Sequence, residues 1–291
     1  MKNTAIIADS TCDLSAELIE RYHITIVPLH ILLNETEYLD GINITPSQIY
    51  AWAEEHKSTP RTSAVSVTDV CEALKKVLLE AEEVVCFCIS ESMSASGEIM
   101  RVAAAEMEIS DRVFVIDSRN LSTGIGLQVI EAAILAGKGL RAAEIVAEIE
   151  KTRPLVRASF VVDTLTYLHR GGRCSGLSAM AGSALKLHPL IEVKDGTMVA
   201  GKKYRGQMDK VILSYVNDLM PALRTARTDR VFITHSGCGE EVVDRVREQL
   251  EATGRFDEIL ITVAGGVISS HCGPGTLGVL FIASEGLSGQ N

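Results

Sequence analysis

Through the first half of the chain, short β-branched apolar runs alternate with stretches of helical periodicity, and few folds accept that alternation. The runs fall at residues 4–8, 24–33, 84–89 and 113–116, and the helical stretches at 14–22, 46–55, 67–82, 96–106 and 124–136. Strands separated by helices of this length need crossover connections, which set the strands parallel and the helices on both sheet faces. The runs are almost uninterruptedly apolar, as strands covered on both faces are. The expectation is an N-terminal three-layer α/β/α domain with a parallel sheet.

The pattern changes near Lys151-Thr152-Arg153-Pro154. Beyond it come a run at 159–162, a Gly171-Gly172 turn, a helical stretch at 178–187 and a run at 190–193. The hairpin signal Lys194-Asp195-Gly196-Thr197 leads into a run at 198–203. Helical stretches at 208–226 and 240–253 alternate with runs at 230–234 and 258–263. Hairpins mixed with helices predict a two-layer α/β domain with a mixed sheet. The predicted division is 1–152 and 153–291, and 291 residues accommodate two domains at roughly 100–200 residues each.

Charge and composition remove whole classes of function. With 28 Lys+Arg against 38 Asp+Glu the net charge is 28 − 38 = −10, which argues against nucleic acid and against docking onto anionic lipid. Apolar residues make up 46% and aromatics only 4%, so the interior is aliphatic. The seven cysteines form no CxxC pair, which supports neither a disulfide framework nor a zinc ribbon. The N-terminus is too short for a signal-peptide core, so a cytoplasmic location is expected. Residues 259–284 carry no formal charge, a length that could span a bilayer. Gly265-Gly266 and Gly273-Pro274-Gly275 interrupt that segment, however, and two buried strands around a polar-tipped loop are expected instead of an integral membrane helix.

The dinucleotide, P-loop, zinc-protease and GxSxG signatures are missing. Three polar clusters remain, Arg61-Thr62-Ser63-Ala64-Val65-Ser66, Ser90-Glu91-Ser92-Met93-Ser94-Ala95-Ser96-Gly97 and Ser269-Ser270-His271-Cys272-Gly273-Pro274-Gly275-Thr276. Hydroxyls and free backbone amides at helix starts serve equally as helix caps and as an anion site. His271 reads either as a core histidine or as a ligand or base in a loop. Two arginines flank the glycine turn in Tyr167-Leu168-His169-Arg170-Gly171-Gly172-Arg173-Cys174-Ser175, and Lys202-Lys203-Tyr204-Arg205 adds a second basic spot. These are ordinary surface charge or contacts for a phosphate or carboxylate, which suits a guanidinium fork. Asp9-Ser10 and Asp117-Ser118 both close an apolar run, as caps or as ligand contacts at strand ends.

These stretches, with Ala8-Asp9-Ser10-Thr11-Cys12-Asp13-Leu14 and the continuation to Leu277-Gly278, resemble the DegV family, the fatty-acid-binding subunits of bacterial fatty acid kinase. They occur in family order over almost the whole chain. The resemblance implies a two-domain fold with an acyl chain buried between the domains and no cofactor. Catalysis would belong to a separate ATP-dependent kinase subunit, which phosphorylates the presented carboxylate. It implies that Thr62, Ser94 and His271 hold the carboxylate, that Ser63, Ala95 and Ser96 lie near the pocket, and that Arg173 and Arg205 face the kinase. Two segments depart from the family's pattern. Ala64-Val65 replace Gln-Pro, and Ala95-Ser96-Gly97 replace Gly-Thr-Tyr, which bears on acyl specificity. The alternative is a small-molecule enzyme using Ser94 or His271 at the interdomain cleft, since the family's distant fold relatives include dihydroxyacetone kinase subunits with a substrate-binding histidine.

Overall fold

In the first apolar run Ile6 and Ala8 face one buried cluster and Ile7 another, so the strand is covered on both sides. The computed structural model describes residues 2–173 and 187–284. The chain runs β1 (Lys2–Asp9), α1 (Ala16–Arg21), β2 (Ile24–Val27), β3 (His30–Leu33), β4 (Thr36–Leu39), α2 (Pro46–His56) and β5 (Arg61–Ser63). It continues through α3 (Val67–Val77), β6 (Ala81–Cys88), α4 (Ser96–Glu106), β7 (Val113–Asp117), α5 (Thr123–Gly137) and α6 (Ala142–Thr152). The second half holds β8 (Val156–Val161), α7 (Thr166–Arg170), β9 (Leu187–Lys194), β10 (Thr197–Arg205) and α8 (Met208–Leu223). It ends with β11 (Ala226–Ser236), α9 (Glu240–Glu251), β12 (Glu258–Val263), α10 (Gly266–Cys272) and β13 (Thr276–Ala283).

The fold is α/β, with one parallel and one mixed sheet. Strands β2-β1-β6-β7 form the parallel sheet. Its Ile7, Val84 and Cys86 pack against Val70, Leu74 and Met100 of α3 and α4. The opposite face, through Ile6, Val85 and Phe87, meets Ile125, Val129 and Ile145 of α5 and α6. The mixed sheet is ordered β10-β9-β8-β13-β11-β12, antiparallel except for the β11–β12 pair. Its Val231, Ile233, Val279 and Phe281 pack against α8 and α9, while Phe160, Phe232 and Leu280 join the cluster around α5. Helix α5 therefore lies between the two sheets, and its residues from Thr123 to Ile130 are all buried.

Several elements differ from the sequence expectation for identifiable reasons. Residues 24–33 split at Pro28, which has no amide hydrogen to give a ladder. Strand β3 instead joins a small antiparallel sheet, β4-β3-β5, in which Ile31 pairs with Thr62. The stretch 67–82 stops being helical at Val77, because residues from Ala81 onward pair with β1. Residues 142–152 add the helix α6, which was not anticipated. The expected loop in 259–284 is the helix α10, so His271 is helical. Of the stretch expected to be helical at 178–187, residues 178–186 lie outside the described residues and Leu187 opens β9. No helix among the described residues is long and apolar enough to cross a membrane.

Candidate functional site

Although α10 comes late in the chain, it packs against β3, β5 and α2 of the first half. Val267 joins the α3–α4 side of the core, and Ile268 and Cys272 join the cluster around α5. The helix thereby brings His271 to Thr62, the middle residue of β5, with Nε2 2.8 Å from the threonine Oγ1. The other ring nitrogen, Nδ1, is buried and has no hydrogen-bond partner among the described residues. Burial, reinforced by the positive charge of Arg173, lowers the His271 pKa to about 4. The imidazole is neutral at pH 7. Gly171 faces it so closely that a Cβ there would lie 2.2 Å from Nδ1, which explains a glycine at this turn.

Arg173 follows that turn. Its guanidinium donates to Gly171 O at 2.8 Å and to Met93 O at 3.4 Å, and it pairs with no carboxylate among the described residues. The contact with Met93 carries Arg173 to the loop between β6 and α4, where Ser94 stands. Ser94 Oγ lies 3.0 Å from Ser96 Oγ and accepts the Ser96 amide at 3.3 Å, so one lone pair is committed to the start of α4.

Thr62, Ser63, Ser94, Arg173 and His271 line one cavity of about 50 Å³. Its remaining walls are mainly apolar and come from both halves, including Leu29, Ile89 and Leu121 from the first and Leu168, Met198 and Ile268 from the second. A second cavity of about 30 Å³ lies beyond, with Phe160 and Leu280 in its wall. Leu121, Ile268 and Cys272 line both cavities and form the partition between them. The arrangement is a polar mouth with an aliphatic interior behind it.

Of the residues expected at the site, Thr62, Ser63, Ser94, His271 and Arg173 share this cavity. Ala95 is the residue before α4, and Ser96 is fully buried at its first position; neither lines the cavity. Arg205 is exposed at the end of β10 and does not line the cavity, so the two arginines are not brought together. Cys174 and Ser175 lie outside the described residues. Ser94 and His271 share no hydrogen bond; His271 pairs with Thr62 and Ser94 with Ser96. The nucleophile–base contact that a Ser/His enzyme needs is not formed. The individual apolar lining residues, Met198 among them, were not singled out as site residues; the hairpin signal before Met198 marks a turn and not a cavity wall.

The DegV family model matches residues 3–284. The chain belongs to the DegV family. Among DegV relatives, a DegV domain-containing protein of Deinococcus radiodurans is 34% identical over 275 residues, which is 94% of this chain and 96% of that protein. The solved structure of a DegV family protein from Thermus thermophilus, described for its fatty acid binding, superposes with a TM-score of 0.89 at 32% identity. That match covers 98% of this chain and all of the Thermus chain. The fatty acid kinase B3 protein of Streptococcus pneumoniae, solved loaded with linoleic acid, shares the DegV fold at a TM-score of 0.82. It is 20% identical, with 97% of this chain and 100% of that chain covered.

Proposed function

We propose that this protein binds a long-chain fatty acid and presents its carboxylate to a separate ATP-dependent kinase in the cytoplasm, without catalysing a reaction itself. The observation that carries this reading is the Thr62–His271 pair at the mouth of an aliphatic cavity, beside an arginine with no carboxylate partner among the described residues. The fatty acid binding described for the Thermus relative supports it. The kinase name of the Streptococcus neighbour supports the partner.

The polar groups suit a carboxylate. The positive charge of Arg173 disfavours a proton on the imidazole, and an orphaned buried N–H is rarer than an orphaned lone pair. That favours Nε2–H donating to Thr62 Oγ1, which frees the threonine hydroxyl to donate into the cavity. The Ser94 hydroxyl and the Arg173 guanidinium complete a set of donors. Behind them, each buried methylene contributes about 0.8 kcal/mol, so the chain supplies most of the affinity and the donors orient the head group. A long chain needs more room than the two cavities offer, so Leu121, Ile268 and Cys272 must part to admit it. In this reading the acyl chain lies between residues 1–152 and 153–291, and Arg173 and Arg205 face the kinase.

Lipid extraction of the purified protein and mass spectrometry test the proposal. A fatty acid near one equivalent is expected, and the double substitution T62A/S94A should weaken palmitate binding at least tenfold. Protein that carries no lipid and fails to bind palmitate at micromolar concentration would sink it.

A further inference from the structure

The acidic motif that closes β1 stands at the other end of the helix that carries His271. After Asp9 the chain makes a 3-10 turn over Ser10–Cys12 and leaves it through Asp13, whose φ of 50° is left-handed. Asp40 follows β4. Both aspartates are buried, and both reach the start of α10. Asp13 Oδ1 accepts the Gly265 amide at 2.8 Å, and Asp40 Oδ1 accepts the Gly266 amide at 2.6 Å. Helix α10 has no side-chain cap of its own, so its first amides are satisfied by carboxylates from the other half of the chain.

Each carboxylate is fixed in turn by a hydroxyl. Ser122 Oγ donates to Asp13 Oδ2 at 2.5 Å, and Ser10 Oγ donates to Asp40 Oδ2 at 2.8 Å. Ser10 also accepts the Leu29 amide at 3.1 Å, which turns its proton toward Asp40. All four carboxyl oxygens are therefore engaged at the positive end of the helix, although burial raises the pKa of both groups. The two glycines let the carboxylates approach. A Cβ on Gly265 would lie 3.0 Å from Asp13 Oδ1, and one on Gly266 would lie 3.0 Å from Asp40 Oδ1.

We infer that Asp13 and Asp40 are positioning residues for head-group recognition, a clamp on the first amides of α10 that sets where His271 stands against Thr62. His271 lies five residues beyond Gly266, about 7.5 Å along the axis at 1.5 Å per residue. A shift at the clamp is carried through about 1.4 turns into the Thr62 contact. The inference rests on the carboxylate-binding reading of the site.

The full chain is titrated with cis-parinaric acid and with palmitate labelled with 13C at the carboxyl, and the His271 ring is followed by its 13Cε1–1H resonance without added lipid. D13A and D40A should each weaken binding five- to thirtyfold and move both the bound carboxyl resonance and the His271 resonance. D13N and D40N keep one acceptor for the amide and should recover most of that loss. In an H271A background, D40A should change affinity less than twofold. Thermal midpoints monitor folding, and S10A and S122A, which loosen the clamp without removing a carboxylate, replace any alanine variant that does not fold. Folded variants with native affinity and an unmoved His271 resonance would overturn the clamp, as would full additivity with H271A. A native chain that binds neither fatty acid would overturn the functional reading instead, while the His271 resonance still decides the clamp.

Discussion

Burial drives two groups near the site in opposite directions, and stability against pH separates them. The His271 pKa falls to about 4 from 6.5, so between those values the unfolded chain binds more protons. The stability contributed by the neutral ring is complete above pH 6.5 and is lost as pH falls toward 4, up to about 3 kcal/mol. Asp9 rises to about 6 from 3.8 because it is buried, against hydrogen bonds from Thr11 and Ile89, with Asp40 nearby adding repulsion. Its contribution has the reverse sign: it is complete below pH 3.8 and lost as pH rises through 6, again up to about 3 kcal/mol. Burial raises Asp13 and Asp40 as well, so they act in the same direction as Asp9. Urea unfolding of H271Q should therefore show a weaker loss of stability on acidification from pH 6 to 4 than the native chain, and D9N a stronger one. Identical slopes in all three proteins would contradict these assignments. The same residues show what single positions reveal. Thr62, Ser94 and His271 stand in hydroxyl-rich or glycine-rich clusters that mark them in the sequence. Asp40 stands in Leu39-Asp40-Gly41, which reads as a turn, and its partner amide is 226 residues away.

At the scale of elements, two glycine substitutions should have opposite outcomes. A Cβ on Gly266 would meet Ile31 Cδ1 at 2.7 Å and Ile49 Cδ1 at 2.9 Å, beside Asp40, and both isoleucines are fully buried. G266A should cost about 1–3 kcal/mol, read as a lower urea midpoint. Gly137, the last residue of α5, has negative φ and nothing within 4 Å of an added Cβ. G137A should stabilise by about 0.4–1 kcal/mol, because alanine narrows the unfolded ensemble and favours the helix. Strands β1, β6 and β7 and the long helices were legible because apolar periodicity records burial on a regular face. Helix α10 was not. Seven residues that begin with glycine and are buried on nearly every side carry no helical period, and carboxylates remote in sequence supply the cap. The split of β2 from β3 was signalled by Pro28, but which sheet β3 would join depends on its pairing with β5, about thirty residues on.

For the whole molecule, the change of pattern near residue 152 marks where parallel strands give way to a mixed sheet, but the core does not stop there. One apolar cluster runs from Ile6 and Phe87 through α5 to Phe160, Phe232 and Leu280. Sequence patterning shows that α5 is apolar, not that both of its sides are used. A polar lock accompanies this packing. Glu131 on α5 binds Arg230 at 2.6 Å and Arg227 at 2.9 Å, both on β11, and Arg230 is only 7% exposed. Removing the carboxylate leaves a buried guanidinium with Asp229, 3.0 Å away, as its one carboxylate partner among the described residues, so E131Q should cost about 2–3 kcal/mol. The shared core also makes the two sheets one cooperative unit, since unfolding either would expose a face of α5. In urea, the fluorescence of Trp52, the single tryptophan, reports on α2, and far-UV circular dichroism reports on every helix and strand. The two curves should coincide in the native chain, and they should shift together in E131Q. A tryptophan transition displaced from the dichroism would mean that the sheets unfold separately, and that α5 belongs to the first half alone.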